Sequence, residues 1–337
     1  MLLVRHTILV LLFAAPVQSA VSQSAGSFAR MGFGARGMSM GNALAGDASG
    51  YGDPYYNPAL APFIPEQSLD ASAALMTLDR ELQFLQLATP LRPRAGIAAG
   101  IIHAGVNSID GRDGSGYHTG MLSTDEFAFF LAFGVKVSER ATVGIGLQLF
   151  RSDLHEDLKP ARSLGIDVGV SMRLTQALHV GIVTDDLLAR YSWDASDATG
   201  GGSSSSSDPF PTRIRVGASY GFQSARVLVA AEFESRFRSA DITLRSVDLI
   251  GDTPREIVTR ETLRLHEVHV RLGAEYRPID ILAIRGGMGH ATGGLKPAAG
   301  FMFEQAVGAL LIHAEYAFVL EPHFLGSMHL VTVRFFL

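Results

Sequence analysis

The decapeptide Gly32-Phe33-Gly34-Ala35-Arg36-Gly37-Met38-Ser39-Met40-Gly41 superimposes two chemical spacings. Gly32-x-Gly34-x-x-Gly37 is the spacing of a dinucleotide-binding turn, where glycines let the backbone approach a pyrophosphate. Gly37-x-Ser39-x-Gly41 is the spacing of a nucleophile elbow, which would make Ser39 a nucleophile if His and Asp partners flanked it. Both chemistries require a strand leading into the turn and a helix leaving it, and no strand-like segment precedes Gly32. The glycines instead predict close packing of backbone against a wall. His266-Glu267-Val268-His269 falls one residue short of the zinc-protease spacing, and on a strand its two histidines point to opposite faces. His155-Glu156-Asp157 reads as a solvated loop cluster. Asp110-Gly-Arg-Asp-Gly114 lacks the alternating carboxylates of a calcium loop and reads as turns. With no cysteine in the chain, thiolate chemistry and disulfides are excluded. The expectation is a non-enzymatic chain with no cofactor and no metal.

The elements around these residues carry the larger signal. Residues 1–20 have a short basic start, an apolar run over Thr7–Ala15 and small residues at Ser19 and Ala20, the pattern of a secretory signal peptide. From Gln67 to Leu337 the chain alternates apolar and polar residues in stretches of about ten. In Thr212–Phe222, Ile214, Val216, Ala218 and Tyr220 share one parity, and Arg213, Arg215, Gly217 and Ser219 the other. The pattern repeats through about fourteen strands, with tight connections at 138–141, 175–177, 223–225, 277–280 and 304–306 and long loops at 107–124, 153–163, 192–211 and 239–262.

Strands of about ten residues match a tilted membrane crossing, and short turns at one end with long loops at the other mark an outer-membrane barrel. The chain also ends inside a strand, with Val331, Val333, Phe335 and Leu337 on one face. The predicted fold is therefore all-β: a transmembrane antiparallel β-barrel of about 14 strands in a bacterial outer membrane. Its domains are a signal peptide over 1–20, an N-terminal plug over 21–66 and the barrel over 67–337. The plug is expected inside the lumen, because a barrel this wide is not filled by its own side chains. A charge on the lipid face would cost about 2–4 kcal/mol at mid-membrane. Arg173, Arg215, Glu232, Glu234, Arg271, Glu275, Arg285, Glu315 and Arg334 are accordingly assigned to the lumen. Their mixed signs favour an ion-pair network anchoring the plug over a conduction path, and Arg36 is expected to meet one of the carboxylates. The net charge of −5 offers no field for nucleic acid. Outer-membrane lipid is the expected partner, and Gly286-Gly287 and Pro297 are the nearest candidates for an interrupted wall.

Residues 32–62 resemble the N-terminal signature of the PorV/PorQ family of outer-membrane proteins, within the wider group of the long-chain fatty-acid transporter FadL. The matching pieces are Gly34-Ala35-Arg36, Met38-x-Met40-Gly41, Asp47-Ala48-Ser49 and Asn57-Pro58-Ala59. The resemblance makes Arg36, Met38, Met40, Gly41, Asp47, Asn57 and Pro58 the plug motif. It implies a role in export or cargo handling with exported proteins or components of the type IX secretion machine. The alternative it leaves open is a FadL-like channel for uptake of hydrophobic small molecules.

Overall fold

The computed structural model describes residues 25–49, 53–155, 158–194, 205–222, 226–250, 253–291, 294–308, 310–322 and 326–337. The predicted signal peptide and Glu156-Asp157 lie outside them. Sixteen strands follow in chain order: β1 Ser68–Leu75, β2 Arg80–Leu91, β3 Ala95–Arg112, β4 His118–Lys136, β5 Ala141–Asp153, β6 Ala161–Arg173, β7 Leu178–Leu187, β8 Arg190–Asp194, β9 Ser205–Pro209, β10 Thr212–Phe222, β11 Val227–Ile250, β12 Thr253–Ile279, β13 Leu282–Ala291, β14 Gly294–Val307, β15 Leu310–Leu320 and β16 Ser327–Phe336. Fourteen close into one antiparallel barrel, sealed by β1 against β16; β8 and β9 form a separate hairpin.

Alternation sorts the wall as expected. On β5 and β6, Ile145, Leu147, Leu149, Leu164 and Val168 stand exposed, while Thr142, Gln148, Asp167 and Ser171 face inward and are buried. Phe129, Leu131, Phe133, Ile182, Val216, Phe233, Leu272, Ile284, Phe301 and Val331 continue the apolar exterior around the barrel. A belt of this extent is incompatible with water but matches hydrocarbon. Closure leaves no unpaired edge in lipid. The chain is a β-barrel of the bacterial outer membrane.

The predicted long loops need correction. Most of 107–124 belongs to β3 and β4, with a bulge between Val106 and Ile109 where Ser108 takes φ 57°. Nearly all of 239–262 is a ribbon in which β11 and β12 stay paired up to Ile250 opposite Thr253. Their outer neighbours pair no further than Phe237 and Val270, so the ribbon rises beyond the barrel. In the sequence the alternation of Ala240, Ile242 and Leu244 with Asp241, Thr243 and Arg245 fails from Ser246 on, so the period of two no longer marks a strand there. Residues 192–211 contain most of β8 and all of β9. Loop length does not alternate strictly either, since only 76–79 separates β1 from β2 at the long-loop end. The turns predicted at 277–280 and 304–306 lie one to three residues early: β12 runs to Ile279 and β14 to Val307, and Gly308 turns with φ 63°.

Residues 25–49 and 53–64 lie within the barrel and carry three short pieces: a 3₁₀ turn Ser27–Arg30, the helix α1 Gly34–Ser39 and a second 3₁₀ turn Pro58–Phe63. Helix α1 packs on β13–β16 and β1, and the second turn on β2–β6. The segment thus bridges the bore from wall to wall.

Candidate functional site

The inner segment is held first by its backbone. Asn57 opens the second 3₁₀ turn: its Oδ1 accepts from Ala59 N at 2.9 Å, and Pro58 supplies a first position that lacks an N–H to satisfy. Asn57 Nδ2 donates to Ala45 O at 2.8 Å and to Val170 O of β6 at 3.3 Å. The wall answers with side chains aimed at backbone. Thr332 Oγ1 accepts from Ala35 N at 2.9 Å, Glu232 accepts from Ala45 N at 2.9 Å, and Thr142 donates to Ala59 O at 2.8 Å.

Contact this close requires wall positions without side chains. Inward-facing Gly96, Gly134, Gly144, Gly169, Gly181, Gly217, Gly273, Gly287 and Gly300 come from nine different strands. A Cβ on any of them would overlap the inner segment. On Gly134 it would stand 2.5 Å from Pro58 O, on Gly273 2.5 Å from Met40 O, and on Gly217 2.8 Å from Gly46 N. Gly41 meets the same wall with φ 63°, and its own Cβ would lie 2.8 Å from Leu272 O. Of the other glycines in the opening decapeptide, Gly32 and Gly37 lie against the side chains of Asn42 and Tyr56 within the segment, and Gly34 takes φ 67° with open space at its Cβ position. Ser39 is fully buried and donates to Arg36 O at 3.0 Å, inside α1. Gly286-Gly287 and Pro297 interrupt nothing, since β13 pairs with β14 without a break from Leu282 to Ala291; this corrects the expectation of a wall gap there.

Charge anchors one side of the segment. Arg36 Nη2 meets Asp47 Oδ2 at 2.6 Å, its Nε meets Glu275 Oε2 at 3.2 Å, and its Nη1 lies 3.7 Å from Asp53 Oδ2. Burial works against the charged guanidinium, but Asp47, Glu275 and Asp53 outweigh it and hold Arg36 protonated well above its ordinary range. Burial wins at Arg30, whose Asp186 partner lies 3.9 Å away, and pulls it down to about 10. Glu275 also receives Arg285 Nε at 2.8 Å, and Arg285 Nη1 reaches Glu315 at 2.7 Å. Arg334 bridges Asp70 at 2.7 Å and Asp53 at 3.4 Å. Arg215 pairs with Asp185 at 2.7 Å and donates to Tyr56 O at 2.6 Å, while Arg271 joins Glu232 and Glu234. Arg173 stands apart: it is exposed at the short-turn end and donates to Glu139 O at 2.9 Å.

The sequence reading missed Asp53, Asp70, Asp185, Asp186 and Arg213 as members of this network. Asp70 and Arg213 carry the inward parity that could have revealed them. Asp185 shares that parity with Gly181 and Val183, whereas Asp186 sits where the β6–β7 register shifts and takes φ 59°, so parity is lost at Asp186.

The opposite arc of the lumen is apolar. Phe84, Ile102, Phe130 and Phe150 face inward from β2 to β5. Phe33 of the inner segment packs on Phe84, Phe130 and Tyr55 with ring centroids 5.0, 5.6 and 4.9 Å away. The cluster continues through Phe150–Phe210 at 4.7 Å and Tyr191–Phe210 at 4.9 Å to the β8–β9 hairpin. Met38 and Met40 are buried beside it. Its sequence signal was a lapse of alternation: β4 carries Phe127, Phe129 and Phe133 outward and Phe130 inward.

Among the described residues no group of three or more His, Cys, Asp or Glu side chains could hold a metal ion. His266 and His269 do face opposite ways: His269 is buried inside, and His266 is exposed and shares a 2.6 Å hydrogen bond with Ser235. Asp110 pairs with Arg112 at 2.6 Å, and Asp113 caps the 113–117 turn.

No family model and no curated relative matches the chain. Solved structures do. The Ralstonia pickettii toluene transporter TbuX aligns with TM-score 0.58 and 14% identity over 90% of this chain and 97% of that one. The Pseudomonas putida toluene transporter TodX gives 0.59 and 15% over 90% and 96%, and a Pseudomonas aeruginosa FadL homologue 0.58 and 13% over 90% and 98%. At such identities the likeness is one of fold: the chain has the FadL-like barrel architecture, and the narrower PorV/PorQ assignment is not shown.

Proposed function

We propose that this barrel is a channel for hydrophobic small molecules, and that the inner segment is its plug. The observation that carries the reading is one buried apolar cluster that unites Tyr191, Phe210 and Phe150 at the β8–β9 hairpin with Phe130, Phe84 and Phe33 at the inner segment. A ring-lined arc offers an apolar solute van der Waals contact without hydrogen-bonding demands. The ion-paired arc has its charges satisfied by one another, which suits a latch better than a path. The fold likeness to toluene transporters supports this reading over export or cargo handling. Ser39, buried and bonded within its own helix, supports transport over catalysis. The test is uptake of a radiolabelled monoaromatic hydrocarbon into liposomes carrying the mature protein. Uptake above empty liposomes that falls in Phe130→Ala is expected. Uptake equal to empty liposomes, together with exported proteins in pull-downs, would return the reading to cargo handling.

A further inference from the structure

On the outer face of β5 and β6, the residues one rung above the apolar belt are both arginine. Arg151 and Arg162 are direct cross-strand partners. Like charges placed opposite each other on one sheet face repel. Asp153 relieves Arg151 in part at 3.4 Å. The Arg162 guanidinium has no hydrogen-bond or ionic partner among the described residues.

Below the arginines the same two strands form an unbroken apolar ladder, with Leu149 opposite Leu164, Leu147 opposite Ile166 and Ile145 opposite Val168. The 154–160 connection above them is at the long-loop end, which faces outward in such barrels. A cationic cluster capping a hydrocarbon-facing ladder has the profile of a lipid: acyl chains along the rungs and an anionic headgroup at the top. Guanidiniums suit phosphate because their fork donates two parallel hydrogen bonds.

We propose that Arg151 and Arg162 bind the phosphate of an outer-leaflet lipid lying on the β5–β6 ladder. The full-length processed protein, purified in mild detergent, is titrated with bisphosphorylated lipid A, its dephosphorylated analogue and inorganic phosphate, and read by native mass spectrometry. Lipid A alone should be retained. At about fivefold per surface cation, R151Q/R162Q should weaken retention roughly 25-fold and R162Q alone about fivefold, while R151K/R162K keeps most of it. Arg112→Gln, an exposed cation at the end of β3 and off the ladder, should change nothing. Equal retention of the dephosphorylated lipid, inorganic phosphate binding as tightly as lipid A, or unaltered retention by R162Q would each overturn the assignment. R162Q keeps the test open should the double variant lose the heat-modifiable mobility of a folded barrel.

Discussion

The two arcs of the lumen solve the same packing problem with opposite chemistry. Strands β2–β5 present Phe84, Ile102, Phe130 and Phe150 to the inner segment, and the facing strands β7 and β10–β13 present Asp185, Arg215, Glu232, Arg271, Glu275 and Arg285. Contacts on the apolar arc are non-directional, so the rings can part and rejoin around a guest at small cost. On the charged arc each group is buried with a specific partner. Separating one pair strands a charge in a low-dielectric space, at a cost of about 3–5 kcal/mol. The charged side is therefore the stiffer one: under the proposed channel function, a solute passing along the aromatic arc would leave the ionic arc holding the segment in register. The apolar arc is not uniform, for Glu126 faces inward at its outer end and accepts from Ser152 Oγ at 3.1 Å.

Breaking the charged arc is the hypothesis with the largest expected effect. Arg36→Ala leaves Asp47 and Glu275 short of a shared cation and should destabilise the plug by about 3–5 kcal/mol. In planar bilayers it should appear as raised leak conductance. A leak equal to that of the unaltered protein would mean that the ion pairs do not latch the segment.

Adjacent glycines sharpen the contrast between wall and plug. Gly287 faces the segment, and a Cβ there would overlap Gly41 N, whereas a Cβ on outward Gly286 meets nothing within 4 Å. Gly287→Ala should therefore cost about 1–3 kcal/mol through overpacking, and Gly286→Ala should be neutral or stabilising by about 0.4–1 kcal/mol. Melting followed by heat-modifiability gels measures both. Equal shifts in the two variants would contradict close approach as the reason for the glycine collar.

On the aromatic arc, Phe130→Ala removes ring pairs worth about 0.5–1.5 kcal/mol each. Hydrocarbon uptake should drop about two- to tenfold while leak stays at its baseline. A rise in leak without loss of uptake would reverse the roles assigned to the two arcs. The smallest effect belongs to Arg173→Gln, an exposed substitution expected to stay within about 0.5 kcal/mol in melting and to leave conductance unchanged. A shift as large as that of Arg36→Ala would place Arg173 inside the latch after all.

The strand count, the lipid face and the inward assignment of eight buried or largely buried charges, among them Arg215, Glu234 and Arg285, were legible in the sequence because a strand's side chains alternate with a fixed period of two. That parity is a local property, readable strand by strand, and it fails where the alternation lapses, as from Ser246 in the β11–β12 ribbon. Tertiary structure alone decided that Arg36 meets Glu275 of β12, and that nine glycines scattered from Gly96 to Gly300 gather into one collar. It also decided that the rings and the ions occupy opposite arcs. Those meetings depend on the barrel's closure and on the relative register of strands far apart in the chain, and no residue's type or spacing records either.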